Sequence, residues 1–151
     1  MNETNYSKPK ILEYGNYRLF LKAFYEAKKA AQPGFSHRVF SRMAGFGSPN
    51  FIHLVIEGKR NLSEDSIEKC LQALKLGVEE ARHFRNLVLL NQAGNAEERR
   101  HYAKQIIQSR AFRKLHPITQ AQFEYHSEWH RVAIRELVAL DSFREDPDWI
   151  A

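Results

Sequence analysis

The chain has 151 residues, 43% hydrophobic and 27% charged, enough apolar material for a packed core and too much for a disordered tail. No apolar run approaches the roughly 20 residues a membrane span needs. The polar start Met1–Lys10 lacks the apolar core of a signal peptide, so a cytoplasmic protein is expected.

The net charge of +5 is unevenly placed. Residues 1–62 hold ten Lys/Arg against four Asp/Glu, whereas residues 63–151 hold 13 against 14. All the positive excess therefore belongs to the first part. Nucleic acid or an anionic membrane surface is the partner such a half suggests, with an acidic protein as the plainer alternative.

In chain order, residues 1–15 read as a flexible arm. Asn16 then precedes Tyr17, Phe20, Leu21, Phe24 and Tyr25, spaced as one helix face requires, and Gln32-Pro33-Gly34 ends that helix. Its lysines Lys22, Lys28 and Lys29 suit a solvated face better than a membrane-surface helix. Ser36 is an N-cap for a second helix, with Phe35 placed to staple onto Phe40. The inward face of this helix is expected to be Val39, Phe40, Met43 and Ala44, with Gly45 supplying a positive-φ turn. Ser48 as cap and Pro49 as first residue open a short third helix that stops at Gly58.

A fourth helix is expected from Ser63 to about Leu76, where Leu62 staples onto Ile67. Its apolar stripe Ile67, Cys70, Leu71, Leu74 makes the single cysteine a core residue and not a nucleophile. A fifth spans about Val78 to Gln92, with Ala81, Phe84, Leu87 and Val88 on one side. Asn95 with Glu98 opens a sixth that carries Tyr102 and Ile106. Arg110–Pro117 reads as a basic linker. Thr119 with Gln122 opens a long helix through about Leu140, bearing Phe123, His130, Ala133 and Leu137.

No run of alternating β-branched residues appears, so the expected fold is all-α. Asp146-Pro147-Asp148 is a helix start that the chain leaves incomplete, which suggests a fragment of a longer protein. The expected organisation is an arm at 1–15, a first helical domain at 16–93, a helical extension at 94–140 for dimerisation or coupling, and the start of a second domain at 141–151.

Two short helices joined by a glycine turn, 23 residues from Ser36 to Gly58, describe a helix-turn-helix. The segment SHRVFSRMAGFGSPNFIHLVIEGKRNLS resembles that unit of Cro/C1-type, lambda-repressor-like regulators. The cap at Ser36, the pair Val39-Phe40, Ala44-Gly45 at the turn, Ser48-Pro49 and the tail Glu57-Gly58-Lys59-Arg60-Asn61 carry the resemblance over about residues 36–76.

The whole chain is also similar to a family of uncharacterised bacterial two-part proteins, in which such a unit precedes a winged-helix-like domain. The stretches NYRLFLKAFYEAKK, FRNLVLLNQA and RELVALDSFREDPDWIA extend that similarity. The resemblance implies a lambda-repressor-like helical bundle followed by a helical extension, acting as a sequence-specific transcriptional regulator on double-stranded DNA.

On that resemblance Ser48, Pro49 and Asn50 stand at the recognition-helix start, over about residues 48–57. Asn50, His53, Leu54 and Glu57 share its outer face, opposite Ile52, Val55 and Ile56. Asn50 suits an adenine edge, and His53 a base or phosphate. Lys59, Arg60 and Asn61 are expected at the DNA backbone, with His37, Arg38 and Arg42 flanking the groove. Two departures stand out. Gly47 is an extra residue in the turn. Phe51 and Leu54 occupy positions where such readers usually carry polar side chains, so they suit either thymine methyl groups or a protein partner. A protein-interaction module that does not bind DNA is the alternative function.

His126 and His130 are spaced i, i+4, but Ser127-Glu128-Trp129 between them does not make the H-E-x-x-H pattern, and no metal or cofactor is expected. No glycine-rich phosphate loop, nucleophile triad or paired-carboxylate motif is present, so no enzyme is expected. Phe84, Leu87, Val88 and Leu90, with Tyr125 and Trp129, suit packing among helices five to seven or a homodimer interface, and a homodimer is expected.

Overall fold

The computed structural model describes residues 7–115. Within them the protein is all-α, as expected: α1 (Tyr17–Ala31), α2 (His37–Met43), α3 (Phe51–Ile56), α4 (Glu64–Leu74), α5 (Val78–Gln92), α6 (Ala96–Gln108) and α7 (Arg110–Leu115). The long helix expected at 119–140, with His126 and His130, and the segment 141–151 lie outside the described residues. So do residues 1–6 of the arm.

The helix starts follow from capping chemistry. Asn16 accepts the Arg18 amide, Ser36 that of Val39, Ser63 that of Ser66, and Asn95 that of Glu98 at 2.8 Å. Each satisfies a donor that the first helical turn leaves without a partner. Glu98 also reaches back to the Gly94 amide at 3.1 Å. Both α2 and α3 end in the same device. Gly45 (φ 78°) and Gly58 (φ 75°) adopt the left-handed conformation that glycine enters without a Cβ penalty. The Phe46 amide then reaches the Ser41 carbonyl, and the Lys59 amide that of Leu54, both at 2.9 Å. These paired bonds close a Schellman motif at each end.

The core is aromatic. Tyr17, Phe20, Phe24, Phe40 and Phe84 are fully buried, joined by Leu21, Ile52, Val55, Ile67, Cys70 and Val88. Phe24 and Phe40 lie 5.3 Å apart, and Phe35 staples onto Phe40 at 5.8 Å. Burial pushes the Cys70 thiol up to about 12, so it stays a neutral, inert core group. The α5 helix meets α1, α4 and α6, and Arg85 on it pairs with Glu64 and Glu68 of α4.

Several expectations about individual elements are corrected. The arm is packed from Ile11 onward: Ile11–Glu13 form a 3-10 turn, Ile11 is fully buried, and Lys8 donates to the Lys75 carbonyl at 2.9 Å. Helix α4 stops at Leu74, because Lys75 turns left-handed at φ 48°. The basic stretch from Arg110 is helical through Leu115 and not a linker. On α5 the buried face is His83, Phe84, Leu87 and Val88, with Ala81 only half-buried.

The inward face of α2 differs most from expectation. Val39 and Met43 are 39% and 43% exposed, whereas Phe40, Ser41 and Ala44 are buried. The true stripe is His37, Phe40, Ser41, Ala44, spaced i, i+3, i+4, i+7. Its small members bring α2 close to α3, and the Ser41 hydroxyl satisfies an α3 amide instead of facing water.

Candidate nucleic-acid interface

The segment between α2 and α3 builds the candidate site. After the Schellman turn, Ser48, Pro49, Asn50 and Phe51 form a β-turn in which the Phe51 amide donates to the Ser48 carbonyl at 3.2 Å. Proline suits the second place of that turn, and Asn50 (φ −99°, ψ 1°) has the backbone of its third. Ser48 and Pro49 therefore do not cap and begin α3. The helix starts at Phe51, and its Ile52 amide is capped from outside by Ser41 Oγ at 3.2 Å. That leaves Ser48, Pro49 and Asn50 all exposed, with the Asn50 side chain unused in capping.

Beside this turn lies a cleft of about 390 Å³ lined by Arg38, Arg42, Phe46, Gly47 and Pro49. Arg38 and Arg42 are one helical turn apart and open to solvent, and neither joins an ion pair among the described residues. Gly47, the extra residue of the turn, leaves open space where a Cβ would stand. The cleft thus brings together three of the expected site residues, Arg38, Arg42 and Pro49.

Downstream of α3, Lys59, Arg60 and Asn61 are exposed, but their backbone is fixed. The Arg18 guanidinium of α1 donates to the Val55 carbonyl, to the Arg60 carbonyl at 2.8 Å and to Asn61 Oδ1 at 2.7 Å. Asn61 therefore spends its amide oxygen inside the protein. From the other side, Gln92 at the end of α5 brackets Leu62, accepting from its amide at 2.8 Å and donating to its carbonyl at 2.9 Å. Gln92 Oε1 also accepts the Tyr17 hydroxyl at 2.7 Å. Burial, opposed by nearby Arg18, pushes that phenol up to about 12, so it remains the donor.

Two residues expected on the open face turn elsewhere. Phe51 packs against Phe46 with ring centroids 4.3 Å apart, so much of its surface is used within the chain. His53 tilts onto His37 at 4.7 Å, and His37 stacks on Tyr25 at 3.8 Å, with Lys29 over the Tyr25 ring. Among the described residues, His53 Nδ1 is buried without a hydrogen-bond partner. Leu54 is half-buried and stands apart from the core cluster that holds Phe51 and Ile56.

The His37 stack has a pH consequence. Burial, then the neighbours His53 and Lys29, lower the His37 pKa from 6.5, against a smaller opposing pull from Glu57. The folded state therefore binds this proton more weakly than the unfolded chain does. Its contribution is present above pH 6.5 and is lost as pH falls from there through the lowered folded value. Urea midpoints measured at about pH 7.5 and about pH 5.5 should fall on acidification less for His37→Phe than for wild type. Equal falls would show that His37 takes up its proton as readily in the folded protein as in the unfolded chain.

Arg18, Ser41 and Gln92 are the residues a sequence reading misses. Ser41 has a recognisable signal, a small polar residue on the stripe between Phe40 and Ala44. Arg18 and Gln92 look like ordinary solvated positions. Among the described residues no group of three or more His, Cys, Asp or Glu is placed to hold a metal ion, and no helix is long and apolar enough to cross a membrane. The fold and site thus define an all-α protein with exposed basic side chains on both sides of a short helix. No protein-family model, curated protein or solved structure matches the chain.

Proposed function

We propose that the protein is a sequence-specific regulator of transcription that binds double-stranded DNA, with α3 in the major groove and α2 along the backbone. The observation that carries this reading is the Arg38–Arg42 cleft. Two guanidinium groups without carboxylate partners among the described residues line it, beside the outward-facing turn Ser48–Asn50. Cations placed in this way are suited to phosphate, which dominates affinity for DNA. Lys59 and Arg60 supply a second cationic contact past the other end of α3, on a loop held by Arg18 and Gln92. One module of this size makes few base contacts, so the protein acts as a homodimer, joined through the helices beyond Val78.

Packing of Phe51 onto Phe46 reduces the apolar surface on which the alternative, a protein-interaction module, depends. The test is fluorescence anisotropy with a mixed-sequence duplex over a salt series. Wild type should bind with a steep log–log salt slope, and Lys59→Ala/Arg60→Ala should weaken binding and flatten that slope by about two. No binding by either protein at low salt refutes the DNA reading. Sedimentation of the complex tests the dimer.

A further inference from the structure

With Phe51 turned to Phe46 and His53 tilted onto His37, the outward stripe that runs from the residue before α3 to the residue after it is reduced to Asn50, Leu54 and Glu57, at i, i+4 and i+7. Each is available in a different chemical sense. The Asn50 side chain is exposed and caps nothing. Leu54 is half-buried, outside the core cluster, and offers the remaining edge of its branched apolar group. Glu57 is exposed at the far end and offers only acceptors.

What the stripe lacks is equally specific. It has no arginine or lysine, and guanine presents two acceptors in the major groove that call for such donors. Adenine presents one acceptor and one donor, the pattern a carboxamide matches in two bonds. Thymine presents a methyl group, which an aliphatic side chain covers. Residues four apart on a helix are separated by about 6 Å along its axis. Bases along one strand are spaced by about 3.4 Å. Asn50 and Leu54 therefore address base pairs one or two steps apart.

We infer that α3 reads an A·T element, with the Asn50 amide paired to an adenine edge and Leu54 packed on the C5 methyl of a neighbouring thymine. This rests on the DNA reading above and adds to it the bases recognised. Recognition of thymine through its methyl has a direct chemical probe, because deoxyuridine pairs like thymidine and lacks only that group.

The experiment first selects duplexes for the full chain from a pool with a randomised core. It then measures affinity for the selected duplex and for versions carrying deoxyuridine at each thymine in turn. The selected sites should share an adenine and a thymine within two base pairs. One deoxyuridine substitution should weaken wild type about fourfold, the worth of one buried methyl group. Leu54→Ala should bind the thymine and uracil duplexes equally, and Leu54→Met should keep part of the difference. Asn50→Ala should lose the preference for adenine at its position by about tenfold.

Tight binding to selected sites with no methyl-sensitive thymine overturns the inference and leaves the DNA reading standing. So does a methyl dependence that survives in Leu54→Ala. Failure to select any duplex at low salt overturns both. The deoxyuridine series uses wild-type protein, so its result does not depend on how well a variant folds.

Discussion

Phe40→Ala is expected to destabilise the protein by about 3–5 kcal/mol, the range for removing a fully buried aromatic side chain. Phe40 has no exposed surface and lies against Phe24 of α1 and Phe35 of the preceding turn. Helix α2 has only seven residues, far too few to persist without tertiary support. Phe40 is its only large buried side chain, the other buried residues of its stripe being Ser41 and Ala44. Removing it therefore loses apolar burial and also the anchor that holds Ser41 against the start of α3. Urea unfolding should show a lower midpoint at nearly unchanged slope. Exchange of the Ile52 amide should speed up as Ser41 Oγ withdraws. A loss under about 1 kcal/mol would mean that α2 is held by something other than this ring cluster. Phe40→Leu fills part of the space and should lose less, which separates a cavity effect from failure to fold.

The same helix shows where sequence reading succeeds and where it stops. The caps at Asn16, Ser36 and Asn95 and the glycine at the α2 end are legible, because capping is local chemistry between residues two or three apart. The all-α class follows from helical periodicity. Ranking α2 positions by hydrophobicity alone points Val39 and Met43 inward, since it cannot count a hydrogen bond from another helix in favour of Ser41. Pro49 reads as a first helical residue because a turn and a helix start use the same φ. Which helix that turn serves depends on the donor at Ile52, and its acceptor lies 11 residues away.

At the candidate site, charge and position on α3 mark the exposed residues. The sequence holds no sign that Phe51 and His53 are drawn to Phe46 and His37, because those contacts depend on the angle at which α3 meets its neighbours. Contacts across 30 to 75 residues, such as Gln92 with Leu62 and Tyr17, have no local signature at all.

Gln92 carries the second large effect. Gln92→Leu roughly keeps the volume of the side chain and deletes three hydrogen bonds at once, those with the Tyr17 hydroxyl, the Leu62 amide and the Leu62 carbonyl. Each leaves a partly buried polar group without its partner, and the combined cost should be on the order of 3 kcal/mol. The penalty comes mainly from orphaned groups, so it has a diagnostic form. Tyr17→Phe removes one of the orphans, and Tyr17→Phe/Gln92→Leu should be destabilised by less than the sum of the single variants. Strict additivity would show that the Tyr17 hydroxyl and Gln92 do not depend on each other. The loop should also report the loss directly, through faster exchange of the Leu62 amide. Arg18 still grips that loop through the Arg60 carbonyl and Asn61. Lys59 and Arg60 should therefore loosen without detaching, and under the proposed function Gln92→Leu should weaken DNA binding less than Lys59→Ala/Arg60→Ala does. An affinity loss as large as that of the double variant would mean that Gln92, and not Arg18, sets the position of the basic loop.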